Sequence, residues 1–396
     1  MTTPAFEKLA PPGTDPVADP YAVYALLREK GPVHRVPTHD AGEVWVVVGH
    51  EEARTALTDP RLRNDIRHSA GWQDDGGHAI GLNMLQLDPP DHTRLRRLVA
   101  REFTARRIEA LRPRIRRIAD ELLDTVLPLG RADLVEAFAK PLPMAVICEL
   151  LGVPDTDRER FGAWSGELVF PSSAEAAGAA AQAMAGYLAD LIEAKRRTDD
   201  GRLLAALVRT MDEDGDRLSP QEMLGMAFLL LVAGHETTVN LIANGTWALL
   251  RHPGQLAALR ADFTLLDSAV EEMLRYEGPS QSTAHRFAAE DVEIAGQVIP
   301  AGDPVLVLLG AGSRDPERFA DPTRFDIGRD ARGHLGFGHG VHHCLGAPLA
   351  RLETTVALHA LLERCPDLTL DSDPDAVAWR PSMMRGVLRL PVRWTP

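Results

Sequence analysis

Residues 336–346 read GFGHGVHHCLG and place three histidines and one cysteine within six positions: His339, His342, His343 and Cys344. Imidazole and thiolate side chains are common zinc ligands, so this segment could form a zinc cage. The alternative is that only one of the four side chains binds a metal and that the glycines matter as much as the ligand. The surrounding sequence separates these two interpretations.

The order of the four side chains disfavours zinc. Structural zinc sites usually draw on two separated pairs of ligands, whereas His342, His343 and Cys344 are consecutive and would point in divergent directions. A helical pattern, LGAPLARLETTVALHALLERC, follows at once, so Cys344 lies just before a helix N-terminus, which favours a thiolate. The glycines leave a bare loop that can lie flat against a broad planar ligand. One thiolate beside such a loop indicates an axial heme site.

The composition indicates a soluble globular protein. The chain has 396 residues, a formal net charge of −14 and 45% hydrophobic residues. The first twenty residues contain five prolines and no apolar core, so they predict neither a signal peptide nor a membrane anchor. The longest uncharged apolar run has twelve residues, whereas a membrane-spanning helix needs about 20. We therefore expect a cytoplasmic protein that does not bind a membrane.

The three cysteines give no sign of a disulfide framework, because their number is odd and no secretory signal is present. No C-x-x-C motif occurs either, which excludes heme attached through C-x-x-C-H. No repeat or linker divides the sequence, so residues 1–396 are predicted to form a single domain. Helical patterns dominate and β-rich segments come late, which predicts a fold that is mainly α with a smaller β region (α+β). Residues 63–86 lack a steady period and predict a mobile loop.

One long helix is predicted between Ser219 and His252. Ser219 is a good N-cap, Pro220 suits the first helical position, and Glu222 completes a capping box. The next helix-terminating signal is His252-Pro253, so the helix has about 30 residues and a length of roughly 45 Å. It is apolar nearly all round before His235, so it should cross the middle of the molecule.

The middle of this helix contains AGHETT, with Gly234, Glu236, Thr237 and Thr238. Each residue has an ordinary structural explanation: a packing glycine, a threonine bonded to the carbonyl one turn earlier, and a paired glutamate. Together they also fit a helix opened beside a small ligand, with an acid and a hydroxyl that relay protons. The residues alone leave both interpretations open.

Arginines are concentrated early in the chain. His92 and Arg96 share one helix face, and residues 94–117 hold ten arginines against two glutamates. This segment is either a solubilising surface or a positive docking site for an acidic partner or a phosphate backbone. Phe103 is the only aromatic residue there, which gives little for base stacking.

These segments resemble the cytochrome P-450 family along nearly the whole chain. FGHGVHHCLG matches its heme signature F-x-x-G-x-H-x-C-x-G, and AGHETT resembles its oxygen-activating segment. EMLR resembles the family's E-x-x-R pair, and DPTRF resembles its meander. PPDHTRLRR and STAHRF resemble the two heme-propionate segments of soluble bacterial members. The resemblance implies the cytochrome P-450 fold, with the long central helix over the heme.

The resemblance also implies residue roles. Cys344 would be the thiolate ligand of the iron of heme b. Glu236 and Thr237 would deliver protons to dioxygen. The residues implied for binding the heme propionates are His92, Arg96, Arg286 and His342.

A structural ion network is implied as well. Its members would be Glu272, Arg275 and Arg324, with Arg318 as the less suitable third member. His339 and His343 fall at variable positions, so no metal is assigned to them.

The implied function is that of a monomeric, cytoplasmic bacterial monooxygenase. It would use O2, and two electrons from ferredoxin and ferredoxin reductase, to hydroxylate or epoxidise a sizeable apolar molecule. HTRLRRLVAREF resembles actinomycete members that tailor macrolides or polyketides, terpenoids and steroids, which implies antibiotic biosynthesis or other secondary metabolism. Substrate contacts are expected from four variable segments: 63–86, 169–182, 279–283 and 382–384.

Three alternatives are open: two from other classes and one, a peroxide-driven variant, within the enzyme class. A non-catalytic heme-binding protein would have no use for Glu236 and Thr237, and a peroxide-driven heme enzyme would not need them. A nucleic-acid-binding protein could use the arginine segment, but the net charge of −14 and the lack of aromatic residues oppose it.

Overall fold

The computed structural model describes residues 4–39, 42–73, 83–198, 200–212 and 218–396. The α-helices in these ranges are α1 (Pro20–Lys30), α2 (His50–Thr58), α3 (Asp91–Ala100), α4 (Ala105–Glu109), α5 (Arg112–Val126), α6 (Pro141–Leu151), α7 (Arg158–Val169), α8 (Ala174–Arg197), α9 (Leu203–Asp212), α10 (Pro220–Arg251), α11 (Pro253–Ala261), α12 (Leu266–Glu277), α13 (Leu309–Ser313) and α14 (Ala347–Arg364).

The β-strands are short and lie mostly near the two ends of the chain. They are β1 (Val33–Pro37), β2 (Glu43–Val47), β3 (Leu62–Arg63), β4 (Arg131–Asp133), β5 (Arg286–Ala288), β6 (Val292–Ile294), β7 (Gln297–Ile299), β8 (Pro304–Val307), β9 (Thr369–Leu370) and β10 (Pro391–Arg393). The largest sheet has the order β1-β2-β8-β5-β3, with β2 and β8 parallel and Trp45 opposite Val305. The predicted fold class, mainly α with a smaller β region, is confirmed.

Helix α10 begins and ends where its sequence signals predict. The Ser219 side chain accepts from the backbone N–H of Glu222, the Glu222 carboxylate accepts from the backbone N–H of Ser219, and His252 is the C-cap. By length and composition α10 could cross a membrane, but 67% of its most apolar window is buried inside the protein. It is therefore the core helix that the sequence predicts, and it packs against α6, α12 and α14.

One face of α10 is open although the helix lies in the core. Ala233 is exposed and Thr237, one turn later, is partly exposed, whereas residues 238–249 are buried. Exposure in the middle of a buried helix indicates an internal cavity. The predicted loop at 63–86 falls only partly within the described ranges, because residues 74–82 lie outside them.

Candidate active site

The cysteine loop is shaped by its glycines and by helix α2. The backbone N–H of Cys344 donates to the carbonyl of Phe337 at 2.9 Å, which closes the loop. Gly338 and Gly340 have φ values of +70° and +74°, a region that L side chains rarely adopt. A Cβ on Gly340 would also lie 2.6 Å from the carbonyl oxygen of Leu57 in α2. Glycine is thus required at 340 by packing against the protein itself.

Cys344 lies just before α14, as predicted. The Cys344 side chain is exposed, yet desolvation by the surrounding protein atoms raises the pKa of its thiol, while the backbone N–H groups of Gly346 and Ala347 and the charge of Arg96 act in the opposite direction. Arg96 also donates to the carbonyl of His343 at 2.7 Å, which ties α3 to the cysteine loop. The two N–H groups and the guanidinium favour the thiolate form that a soft metal ion binds.

The segment does not form a zinc cage. Across the described residues, no three side chains of His, Cys, Asp or Glu converge on a metal-sized site. His343 is exposed and His339 is partly exposed. Cys344 therefore remains the candidate metal ligand of this loop.

Arg286, with His92 and His342 beside it, forms a cationic pocket next to the loop. The imidazole rings of His92 and His342 lie 4.2 Å apart between centroids. Among the described residues, neither ring nitrogen of His92, nor Nε2 of His342, has a hydrogen-bond partner. Burial lowers the pKa of His342 to about 3, and the charges of His92, Arg286 and Arg96 add to the shift.

In the described part of the chain, no acidic side chain lies within ion-pair distance of Arg286, and Asp88 attracts it only from farther away. Arg286 is 3% exposed and its Nη1 donates to the carbonyls of Ala56 and Leu62 at 3.4 Å, while its Nε has no hydrogen-bond partner within the described ranges. Burial lowers its pKa to about 10. Burying a guanidinium and imidazole nitrogens without hydrogen-bond partners destabilises the fold unless a bound anion supplies those partners. The pocket therefore fits the carboxylates of the heme propionates.

Glu236 and Thr237 lie where α10 opens towards the cavity. Thr237 Oγ1 donates to the carbonyl of Ala233 at 3.1 Å, the back-bonding predicted for this position. Glu236 is 7% exposed; its Oε1 lies 3.4 Å from Nε2 of His235 and its Oε2 lies 3.8 Å from Nη1 of Arg380. Both ordinary interpretations, a back-bonded threonine and a paired glutamate, are therefore correct. They leave the hydroxyl and the acid on adjacent residues of α10.

The glycine of this segment is explained by packing. A Cβ on Gly234 would lie 2.8 Å from Cδ1 of Ile147, so α6 approaches α10 closely there. The helix is continuous from Pro220 to Arg251. The sequence suggests that Gly234 could break the regular hydrogen bonding of the helix, but α10 is a regular helix throughout, and the cavity lies against it.

The ion network forms around Glu272, with a different third member. Arg275 and Glu272 are fully buried and paired, as the E-x-x-R resemblance implies. Arg324 was the predicted third arginine, but its side chain is 64% exposed and lies 3.6 Å from Asp326. Arg329 takes that place: it is 13% exposed and its Nε lies 3.5 Å from Glu272 Oε1. Arg324 contributes only its backbone carbonyl, which accepts from Arg275.

The remaining candidate, Arg318, does not join the network either. Its guanidinium donates to the carbonyl of Arg332 and stacks over the ring of Phe319. The prediction of Arg324 was wrong because the resemblance fixes the meander only approximately, and the backbone of 320–329 turns the next arginine inwards.

Two of the predicted substrate-contact segments lie side by side. The backbone N–H of Gln281 donates to the carbonyl of Met383, and the hydroxyl of Ser282 lies 3.0 Å from Sδ of Met383. A third segment begins at Phe170, whose ring lies 4.2 Å from the guanidinium carbon of Arg380. Segments 279–283 and 382–384 are therefore in contact, and Arg380 links Phe170 of segment 169–182 to Glu236 of α10. Of the fourth segment, 63–86, residues 74–82 lie outside the described ranges.

Two polar residues of this region have no role in the sequence interpretation. His235 belongs to AGHETT, and its position next to Glu236 in the sequence could have suggested a role. Arg380 had no signal, because its contact with Glu236 joins distant parts of the sequence.

Comparison with known proteins gives a consistent result. A sequence profile of the family described as cytochrome P-450 matches residues 167–388. The chain is 60% identical to cytochrome P-450 monooxygenase PikC of Streptomyces venezuelae, over 96% of this chain and 92% of the relative. It is 49% identical to 6-deoxyerythronolide B hydroxylase of Saccharopolyspora erythraea, over 95% of this chain and 96% of the relative.

Solved structures agree with the sequences. The structure of the monooxygenase TamI with tirandamycin C bound is similar with a TM-score of 0.89 at 47% identity, covering 96% of this chain and 99% of that one. At this identity and TM-score the two chains share the same fold over nearly their whole length.

Proposed function

The chain belongs to the cytochrome P-450 family, and from this premise we propose that it oxidises a macrolide or related polyketide with electrons from a ferredoxin. As a member of that family it is a heme-binding monooxygenase that incorporates one atom of O2 into its substrate. The observation that carries the substrate class is the 49% identity with an enzyme named for hydroxylating 6-deoxyerythronolide B. The reaction would be the hydroxylation of a C–H bond or the epoxidation of an alkene.

The residues that would hold heme are those of the cationic pocket and the cysteine loop. Cys344 would bind the iron, and His92, Arg96, Arg286 and His342 would bind the propionates. The unpartnered nitrogens of this pocket support that assignment. Heme supplies the thiolate-ligated iron at which O2 is activated.

The chain's own residues would manage protons and water. The hydroxyl of Thr237 borders the cavity and can orient a water molecule there. Glu236 lies beside it in the same helix and can exchange protons with that water. Substrate bound against residues 279–283 and 382–384 would exclude bulk water, and the Met383 side chain offers an apolar contact.

The surface around Arg101 would receive the ferredoxin. Several arginines of 94–117 are neutralised within the protein; Arg94 pairs with Glu222 and Arg112 pairs with Glu109. Arg101 and Arg106 are exposed, and in the described part of the chain they have no acidic partner. They leave a positive charge that an acidic ferredoxin can meet.

We further propose that residues 1–396 act as a single domain, as a monomer in the cytoplasm. Mass photometry of the purified heme-loaded protein would test the monomeric state, and a dimer would refute it.

The heme and substrate assignments are tested by spectroscopy. Reduced protein with CO should absorb at the long wavelength typical of thiolate-ligated heme, and Cys344→His should lose that band while the chain still folds. Binding is measured as the low-spin to high-spin difference spectrum with 6-deoxyerythronolide B, tirandamycin C and testosterone. The polyketides should bind and be oxidised in preference to the steroid. Preference for the steroid would refute the substrate class and leave the enzyme class intact.

A further inference from the structure

His235 has one ring nitrogen committed to the backbone. The side chain is 1% exposed, and its Nδ1 lies 2.8 Å from the carbonyl oxygen of Leu231, one turn earlier in α10. A carbonyl oxygen only accepts hydrogen bonds, so Nδ1 must carry a proton. In the neutral imidazole the other nitrogen, Nε2, would then carry none.

Nε2 of His235 faces the carboxylate of Glu236. It lies 3.4 Å from Oε1 and has no other hydrogen-bond partner within the described ranges. A bare Nε2 and an ionised carboxylate would place two acceptors against each other in a buried site, which is unfavourable. One proton therefore lies in the contact between His235 and Glu236.

The surroundings determine which partner holds this proton. Arg380, from the segment before β10, lies 3.8 Å from Oε2 of Glu236. Lys140, which precedes α6 and pairs with Glu136 at 3.1 Å, adds a second and weaker positive charge. Burial raises the pKa of Glu236, but His235, Arg380 and Lys140 together leave that pKa below its ordinary value. The two cations therefore favour the carboxylate form of Glu236, which leaves the proton of the contact on Nε2 of His235.

We propose that His235 is the positioning residue that stores the proton which Glu236 passes to the cavity. This inference rests on the proposed relay of Glu236 and Thr237. In the transfer the Nε2–H bond of His235 breaks and an O–H bond forms at Oε1 of Glu236, which leaves a neutral imidazole. Glu236 then gives the proton to water at Thr237, and His235 regains a proton from solvent. An ionised Glu236 has no proton of its own to give, and Nε2 of His235, 3.4 Å from its Oε1, is placed to supply one.

The protonation state is measured directly by NMR of ¹⁵N-histidine-labelled holoenzyme. The reduced, CO-bound form is used because it is diamagnetic, and the His235 signal is assigned by its loss in His235→Gln. At neutral pH both ring nitrogens of His235 should be protonated. In Glu236→Gln the amide can donate to Nε2, so His235 should become neutral. A neutral His235 in the wild-type enzyme would overturn the proposal.

The functional role is measured as product formed per NADH consumed, across pH. The substrate is whichever of 6-deoxyerythronolide B and tirandamycin C is oxidised. In the wild type this ratio should fall at alkaline pH as the stored proton is lost. His235→Gln should lower the ratio about tenfold at neutral pH and remove the alkaline fall, with peroxide replacing product.

His252→Gln is the matched control. His252 also directs Nδ1 to a carbonyl one turn earlier, that of Ala248 at 2.7 Å, but among the described residues no carboxylate lies within ion-pair distance of it. This variant should keep the wild-type ratio and pH profile. Wild-type behaviour of His235→Gln would overturn the inference alone, if Thr237→Ala still loses product. Wild-type behaviour of Thr237→Ala would instead overturn the proposed relay.

Discussion

Arg275 donates two parallel hydrogen bonds to Glu272, from Nε to Oε2 at 2.6 Å and from Nη2 to Oε1 at 2.8 Å, and neither side chain is exposed. Nη1 of Arg275 donates to the carbonyl of Pro322 at 2.8 Å, Nη2 also donates to the carbonyl of Arg324, and the backbone N–H of Asp326 donates to Glu272. This buried pair therefore fixes the backbone that leads into the cysteine loop.

The first prediction concerns this network. Glu272→Ala leaves the guanidinium of Arg275 buried without its anion and should cost about 3–5 kcal/mol of unfolding free energy. Arg329→Ala removes the weaker contact with Glu272 and should cost about 1–3 kcal/mol. Arg324→Ala should change stability by less than about 0.5 kcal/mol, because its side chain is exposed. Urea unfolding and heme content measure these effects. A larger loss of stability in Arg324→Ala than in Arg329→Ala would show that Arg324, as predicted from the sequence, is the third member of the network.

Features set by neighbouring residues could be predicted from the sequence, whereas contacts between distant segments could not. The ends of α10 were predictable because Ser219, Pro220 and Glu222 signal a helix start within four positions. The helix after Cys344 was predictable for the same kind of reason. These features depend on neighbours in the chain, and their physical causes can be read from the sequence alone.

Distant features needed the fold or a resemblance. The meeting of His92, Arg286 and His342 was available only through the resemblance, since three separate segments supply these side chains. The choice of Arg329 over Arg324 depends on how one irregular loop turns. The contact between Arg380 and Glu236 depends on how the chain after α14 returns to α10, and no sequence pattern near either residue predicts it.

A second prediction concerns Glu353 in α14. Its side chain is fully buried, and neither carboxylate oxygen has a hydrogen-bond partner within the described ranges. Burial raises the pKa of Glu353 well above its ordinary value of 4.5. Above that value the unfolded chain loses a proton that the folded chain keeps, so the stability of the wild type falls as pH rises.

Glu353→Gln should remove this pH dependence, because glutamine carries no ionisable proton. Relative to the wild type, the variant should gain about 1.4 kcal/mol for each pH unit between about pH 5 and the raised pKa of Glu353. The measurement is urea unfolding at several pH values. Glu121→Gln, at an exposed position of α5, serves as the control and should follow the wild type. A constant difference between Glu353→Gln and the wild type at all pH values would show that Glu353 is ionised in the folded protein.

The third prediction concerns the ferredoxin surface. Arg101→Glu combined with Arg106→Glu should slow reduction by ferredoxin and flatten its dependence on ionic strength, because steering acts through the long-range field. Substrate affinity should stay unchanged. The measurement is stopped-flow reduction at several salt concentrations. The same charge change at Arg131 and Arg389, which are 79% and 78% exposed, is the control and should have a smaller effect. Equal slowing by both double variants would mean that net charge, and not this surface, governs the encounter.

The last prediction concerns Thr237 and separates an oxygen-activating enzyme from a mere heme binder. Thr237→Ala removes the hydroxyl at the cavity, and its back-bond to Ala233 is lost without strain because alanine favours a helix interior. Heme binding, the CO spectrum and substrate affinity should survive. A positioned proton donor is typically worth about 10²–10⁴-fold in rate, so oxygen should leave as hydrogen peroxide while NADH consumption continues.

Thr238→Ala is the matched control for this variant. Thr238 is the next residue of the helix and is buried, so it does not border the cavity. Its substitution should affect stability more than the ratio of product to NADH. Both variants are assayed for product, NADH and peroxide with the substrate used for His235→Gln. If Thr237→Ala keeps the wild-type ratio while Thr238→Ala loses it, the hydroxyl of the relay is that of Thr238, and the open face of α10 was assigned to the wrong threonine.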